Sequence, residues 1–377
     1  MRLAPSDVLA SRHRMLHRVI AQQNLDALVV TNPFNIRYLT NHVGSAGTVI
    51  VTRDRLHLLI DFRYKEAVSA LQASTAACPT LHVRPVPASY DEALVDALVD
   101  LNLSVTGIEA AHLTVARQEW LTKTLASRGS AIALRSTERV VEQQRLIKDA
   151  FELSITRDSA ARLEAVADQA FATVRAGVSE RDVAGSIEAA LRAAGYERPA
   201  FDTIVASGPQ SALPHHRAGA RILAPGDLVV LDFGGILDGY CCDLTRMAAV
   251  GSPSPEARGL YDAVREAQQA AIDVVRPGVP VSSVDAAARE ILVARGLGEA
   301  FGHGTGHGLG LEVHEEPRVG RPRSDAQDTR LEPGMVFTIE PGAYVPGFGG
   351  VRIEDDVLVT DNGSEVLTSV PRDLRIC

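Results

Sequence analysis

The stretch Gly302–Arg318, GHGTGHGLGLEVHEEPR, places histidines at 303, 307 and 314 among closely spaced glycines. Imidazoles gathered this tightly can bind a metal, move protons or hold a polar substrate. His303 and His307 have the spacing of the helical zinc signature H-E-x-x-H. Position 304 is glycine, however, so the general base is missing, and glycines at 304, 306 and 308 oppose a helix. The loop therefore needs partners elsewhere, and four acids can supply them. Asp232 closes the apolar run LVVLD, Asp243 follows in CCDLTR, Glu340 sits in TIEPG and Glu354 in GGVRIEDDVLV. An acid in an apolar strand is costly unless it is paired or metal-bound. Four carboxylates with one or more imidazoles form an oxygen-rich set suited to two divalent cations, Mn²⁺ first, with Co²⁺ or Zn²⁺ as alternatives. Two such ions about 3.5–4 Å apart activate water and polarise a carbonyl, the chemistry of metal-assisted hydrolysis.

Turn chemistry places the first two acids. Asp238-Gly239 is a favoured pair for a two-residue hairpin. Centring the turn there sets Leu237 opposite Tyr240, Gly234 opposite Asp243 and Asp232 opposite Thr245. Asp232 and Asp243 then share a face as diagonal neighbours, with backbones about 7–8 Å apart. Glu340 and Glu354 repeat the arrangement across a longer glycine-rich turn.

That repetition belongs to a larger echo. VRAGVSERDVAGSIEAALRAAG (174–195) aligns without gaps on VRPGVPVSSVDAAAREILVARG (275–296), and PGDLVVLDFGG (225–235) on PGMVFTIEPGA (333–343). Each copy reads as helix, Pro-Gly turn and strand with a late acid, so an α+β domain duplicated about a pseudo-twofold axis is expected. Ahead of it, residues 1–135 alternate helical and strand patterns. A helix is expected over Asp7–Asn24, strands over 25–31, 47–52, 55–61 and 104–109, and a charged helical stretch over 143–175.

Composition bounds the rest. With 377 residues, 46% hydrophobic and 23% charged, the chain has material for two or three globular domains. A net charge of −9 without a Lys/Arg run argues against nucleic acid. No run approaches the ~18 apolar residues of a membrane span, and the polar N-terminus shows no secretory h-region. Four cysteines without a C-x-x-C suggest reduced thiols in a cytoplasm. A G-x-S-x-G elbow, a G-x-G-x-x-G turn and a P-loop are all missing from the sequence.

Taken together, these motifs resemble those of the pita-bread metallopeptidases, and within them the Xaa-Pro peptidases: prolidases (Xaa-Pro dipeptidases) and Xaa-Pro aminopeptidases. The resemblance covers nearly the whole chain. It implies an α/β creatinase-type N-terminal domain over 1–135, a linker over 136–148 and an α+β pita-bread catalytic domain over 149–377. It also implies that Asp232, Asp243, His307, Glu340 and Glu354 bind two metal ions, with Glu340 shuttling a proton. His215 in ALPHH and His314 in LEVHEEPR match the family's active-site histidines, and His303 a further histidine lining the cleft. Arg352 shares a strand face with Glu354 and is grouped with the substrate-binding residues, where a cation also orients carboxylates. Arg318 matches an arginine that holds a dipeptide's terminal carboxylate in prolidases and also occurs in some short Xaa-Pro aminopeptidases. His216 and His42 are read as ordinary histidines, with His216→Ala expected to be nearly silent.

The expected activity is hydrolysis of the bond before proline in dipeptides or short peptides. The dipeptidase is narrowly favoured, with a cytoplasmic homodimer as the expected form. Two alternatives stay open: a creatinase-like hydrolase of another C–N bond, and a pita-bread module that only binds. The five intact ligand positions count against both.

Overall fold

The computed structural model describes residues 1–322 and 328–377. They divide into two compact units, one spanning Arg2–Arg145 and one spanning Leu146–Cys377 with Met1. In the first unit, six helices accompany six strands. The helices are α1 (Ser6–Gln22), α2 (Pro33–Thr40), α3 (Lys65–Gln72), α4 (Tyr90–Asp100), α5 (Val115–Ser127) and α6 (Glu142–Arg145). The strands are β1 (Ala27–Val30), β2 (Thr48–Thr52), β3 (Leu56–Ile60), β4 (Leu81–Pro85), β5 (Val105–Glu109) and β6 (Ala133–Thr137). They form one mixed sheet in the order β4-β3-β2-β1-β5-β6. β1, β2 and β3 are buried along their whole length, as apolar runs covered on both faces should be. β2 and β3 pair antiparallel around Arg53-Asp54, whereas β1–β5, β3–β4 and β5–β6 pair parallel.

Two of the buried histidines in this unit have the lowest pKa values. His13 donates from Nε2 to the Leu39 carbonyl at 2.7 Å, and burial pulls it down from 6.5 to about 4. Burial, then Arg84, does the same to His57. A folded pKa below the unfolded one means that the unfolded chain takes up the proton first. The stability these groups contribute is therefore complete above pH 6.5 and is lost as pH falls toward 4. Trp120, the single tryptophan, lies in α5 and reports on this unit. Its fluorescence-detected urea midpoint should fall between about pH 7 and about pH 5, with a smaller slope in His13→Gln. A flat midpoint would contradict the assignment.

The second unit carries the duplication. α7 (Ala150–Thr173) and α8 (Glu180–Ala193) precede a first set of strands, and α9 (Pro255–Asp273) and α10 (Val281–Ala294) precede a second. The first set comprises β7 (Arg198–Pro199), β8 (Ile204–Ser207), β9 (Leu228–Phe233), β10 (Gly235–Leu237), β11 (Tyr240–Cys241) and β12 (Leu244–Ala249). The second set comprises β13 (Gly306–Gly308), β14 (Glu315–Val319), β15 (Val336–Ile339), β16 (Gly342–Val345), β17 (Gly349–Arg352), β18 (Asp355–Thr360) and β19 (Gly363–Val366), with a short β20 (Arg375–Ile376) closing the chain.

The echoed segments fold alike. Gly177 N donates to Leu223 O at 3.0 Å, and Gly278 N to Leu331 O at 2.8 Å. The lone bridges Ser179–Ile222 and Pro280–Arg330 occupy matching places. β20-β12-β9-β8 form one sheet and β14-β13-β15-β18-β19 another. Helices cover them: Val166, Ala170, Val183 and Ile187 pack on Val229, Leu231 and Phe233. In the other half Val264, Ala267, Val284 and Ala288 pack on Phe337, Ile339 and Val357. The architecture is the α+β pita-bread fold, with an α/β unit before it.

Candidate metal centre

The hairpin expected from Asp238-Gly239 is present. Both residues have positive φ, 48° and 79°, as a type I′ turn requires. Leu237 pairs with Tyr240 and Asp232 with Thr245. In the second half, Ile339 pairs with Asp355 and Gly342 with Arg352, so the same register carries Glu340 opposite Glu354. The two hairpins meet where Glu354 N donates to Thr245 O at 3.2 Å and Thr245 Oγ1 donates to Glu354 Oε2 at 2.6 Å.

Asp243, His307 and Glu354 each present a ligand atom, and these atoms all lie within 4.8 Å of one another. Glu340 joins them, with Oε1 3.5 Å from His307 Nε2; Asp243 Oδ2 lies 3.9 Å from the same nitrogen. His307 Nδ1 donates to Gly308 O at 3.0 Å, which leaves Nε2 as the free electron pair. Asp232 is turned differently: its Oδ2 accepts from Arg352 Nη2, while Oδ1 of both Asp232 and Asp243 is buried without a partner.

The electrostatics of the group show what it would hold. Burial, then Glu354 and Asp232, pushes the Asp243 carboxyl well above its usual range. Burial, then Glu340 and Asp232, does the same to Glu354. Glu340 rises to about 7, again mainly through burial. Burial also lowers His307 to about 4. Crowded carboxylates with orphaned oxygens beside a neutral imidazole fit a divalent cation, which relieves desolvation and repulsion together.

The remaining histidines line this cluster. His314 stacks edge-on against His307 with ring centres 4.2 Å apart. His215 lies close enough that its charge depresses both His303 and His314. His303 donates from Nδ1 to Gly304 O at 2.7 Å, and its Nε2 lies 3.0 Å from the Tyr344 hydroxyl. Arg352, 4% exposed, directs its donors to Asp232, the Thr245 hydroxyl, the Tyr344 hydroxyl and the Pro214 carbonyl. Arg318 is exposed on β14. His42 packs against Tyr64 in the first unit, whereas His216 bonds a fully buried Glu180 at 2.8 Å.

Tyr344 and Thr245 join the group; the sequence had named Thr245 only as the residue opposite Asp232, and Tyr344 not at all. Tyr344 had a signal: its ring lies across Gly342 and Gly350, where any Cβ would collide with it. The glycines of the histidine loop have a similar cause. A Cβ at 306 would strike the Thr338 carbonyl and one at 308 the Glu316 carbonyl, so they admit neighbouring strands.

A duplicated α+β fold that gathers buried acids and a free imidazole nitrogen is that of a metal-dependent hydrolase. Residues 154–361 match Metallopeptidase family M24, and residues 12–147 match the Creatinase/Prolidase N-terminal domain. The chain is 34% identical to the Xaa-Pro dipeptidase of Pyrococcus furiosus, covering 97% of this chain and 100% of that one. Among solved structures, the Xaa-Pro dipeptidase from Bacillus anthracis superposes with a TM-score of 0.91 at 35% identity, covering 98% of this chain and 100% of that one. The X-Pro aminopeptidase from Thermotoga maritima gives 0.86 at 32%, covering 97% and 99%. The chain belongs to metallopeptidase family M24. Among the described residues no helix is long and apolar enough to cross a membrane.

Proposed function

We propose that the protein hydrolyses the peptide bond before proline in dipeptides and short peptides, using two divalent metal ions, Mn²⁺ foremost. The observation that carries this reading is the convergence of Asp243, His307 and Glu354 in a fold shared with Xaa-Pro peptidases. We place catalysis in residues 149–377, after the 136–148 linker, and expect a cytoplasmic homodimer, which sedimentation velocity tests.

Asp232, Asp243, His307, Glu340 and Glu354 would hold the ions, which when bound supply an activated water and polarise the scissile carbonyl. Glu340, beside His307, takes the proton of the attacking water and returns it to the leaving imino nitrogen. His215 and His314 hold the peptide and the developing oxyanion. His303, kept neutral by burial at about 4, accepts from Tyr344 and fixes that wall of the cleft. We assign Arg352 to orienting Asp232 in addition to any contact with the peptide.

The test compares Ala-Pro, Ala-Pro-Ala and Ala-Ala with added Mn²⁺ and after chelation. Cleavage of the proline substrates that is abolished by chelator and restored by Mn²⁺ is expected, with Ala-Ala far slower. Full activity in protein shown by elemental analysis to be metal-free would overturn the reading, as would indifference to proline.

Arg318 separates the two activities. In an Xaa-Pro dipeptide the proline carboxylate lies a fixed short distance past the scissile bond, where a guanidinium grips it with two charge-assisted bonds. In a tripeptide that carboxylate is an amide. Arg318→Ala should therefore slow Ala-Pro more than Ala-Pro-Ala, by ~10-fold. Equal losses would remove the preference for the dipeptidase.

A further inference from the structure

His215 stands at a corner. His216 N donates to Leu213 O at 3.1 Å, closing a four-residue turn with Pro214 in second place, where its fixed φ is favoured, and His215 third. Such a turn on its own would leave the His215 ring free to wander. Here it is gripped from both sides. Arg352 Nη1 donates to the Pro214 carbonyl at 3.3 Å. On the other side the His216 ring points inward, and its Nε2 donates to Glu180 Oε2 at 2.8 Å.

Glu180 is a rigid anchor. It opens α8, has no solvent exposure, and both of its oxygens are committed. Oε1 accepts from Ser207 N at 2.9 Å and from the Ser207 hydroxyl at 2.7 Å. Oε2 accepts from His216 and from Gly219 N at 3.2 Å. Ser207 ends β8, at the start of the segment that leads to the turn, and Gly219 lies just after it. One carboxylate thus ties both ends of the 207–219 loop to the same point on α8. Arg221 reinforces the arrangement by donating to the Ser207 hydroxyl and to both Asp227 oxygens.

The other half contains an analogous device. Asp285 of α10, 1% exposed, accepts from Thr305 N at 3.1 Å and from its hydroxyl at 2.9 Å. Arg289, paired with Asp285, donates to the His303 carbonyl at 2.9 Å. Thr305 immediately precedes the strand that carries His307. In both halves, a buried acid from the second helix holds a hydroxyl residue and fixes a histidine-bearing segment.

We propose that Glu180 and His216 are positioning residues that hold the Leu213–His216 turn so that His215 faces the metal centre. This rests on the role given to His215 above. It replaces the expectation that His216 is an ordinary histidine, because an ordinary surface imidazole has no fully buried carboxylate to lose.

The experiment is a double-mutant cycle on the Mn²⁺-loaded enzyme with Ala-Pro, using His215→Ala, His216→Ala and both together. Bound metal is measured by elemental analysis. His216→Ala should lower kcat about 10- to 100-fold, since small displacements of a contact group cost this much. KM should stay within about twofold and metal content should be unchanged. In the His215→Ala background the same change should cost less than about twofold, because nothing is left to position. Glu180→Gln, which keeps the volume but turns an acceptor into a donor toward Gly219 N, should repeat the pattern if His216→Ala folds poorly. Unchanged kcat in both variants would overturn the inference. So would loss of bound metal, or a loss that persists in full without His215. A wild-type kcat for His215→Ala would overturn the role of His215 itself and this inference with it; that single variant shows which of the two has failed.

Discussion

Glu354→Ala is expected to lose bound metal and hydrolytic activity together. Glu354 is 2% exposed, takes a hydrogen bond from Thr245 and belongs to the cluster whose ligand atoms lie within 4.8 Å. Loss of a group that only supports a ligand costs about 10–100-fold in metal affinity, so loss of the carboxylate itself should exceed ~10²-fold. Dialysis against Mn²⁺ followed by elemental analysis and an Ala-Pro assay reads both effects. The metal-free proteins should behave in the opposite sense. Burial raises Glu354 well above its usual range, so at neutral pH folding must either bury its charge or force a proton onto it, and this opposes folding until a cation arrives. Metal-free Glu354→Ala should then melt no lower than the metal-free wild type. Wild-type metal content in the variant would remove Glu354 from the centre.

The carboxylate positions were legible because turn chemistry fixes register. Asp238-Gly239 admits a two-residue loop with both φ values positive, and that choice determines every pair down to Asp232 and Thr245. The helices were legible from the echo: α8 and α10 start and end at matching points of the two aligned segments. β4 and β6 did not stand out, because they are the short, largely exposed strands at the two edges of their sheet. α2 is short, and its burial on several sides erases the helical period. Glu180 and Asp285 escaped notice for a different reason. Their importance lies in contacts across long sequence separations, which no local pattern encodes. The pairing of Glu180 with His216 spans 36 residues.

Arg352→Ala should be strongly destabilising. The guanidinium is buried beside Asp232 and bonds two hydroxyls and a carbonyl besides. Removing one member of a buried ion pair costs roughly 3–5 kcal/mol, because the other charge is left uncompensated. For a unit of this size that lowers the melting temperature by roughly 10 °C. Arg352→Lys separates charge from geometry. An ammonium can still face Asp232 but cannot reach Tyr344, Thr245 and Pro214 at once. It should recover much of the stability while leaving kcat depressed by about 10²-fold. Calorimetry and Ala-Pro kinetics at saturating Mn²⁺ measure the two. Full recovery of kcat by lysine would show that only the charge matters.

The meeting of the two hairpins at Thr245 and Glu354 bears on how the protein is made in the cell. The hydrogen bond that joins them spans 109 residues. A growing polypeptide on the ribosome completes the Asp232–Asp243 hairpin before Glu354 is added, and until then it carries only part of the proposed ligand set. On the proposed ligand set, capture of the ion waits for Glu354. Until then the acids wait as a repelling group whose burial is unfavourable, which delays docking of the second hairpin on the first. Without the proposed ion, this seam would be the place where the two halves of the second unit hold together least well.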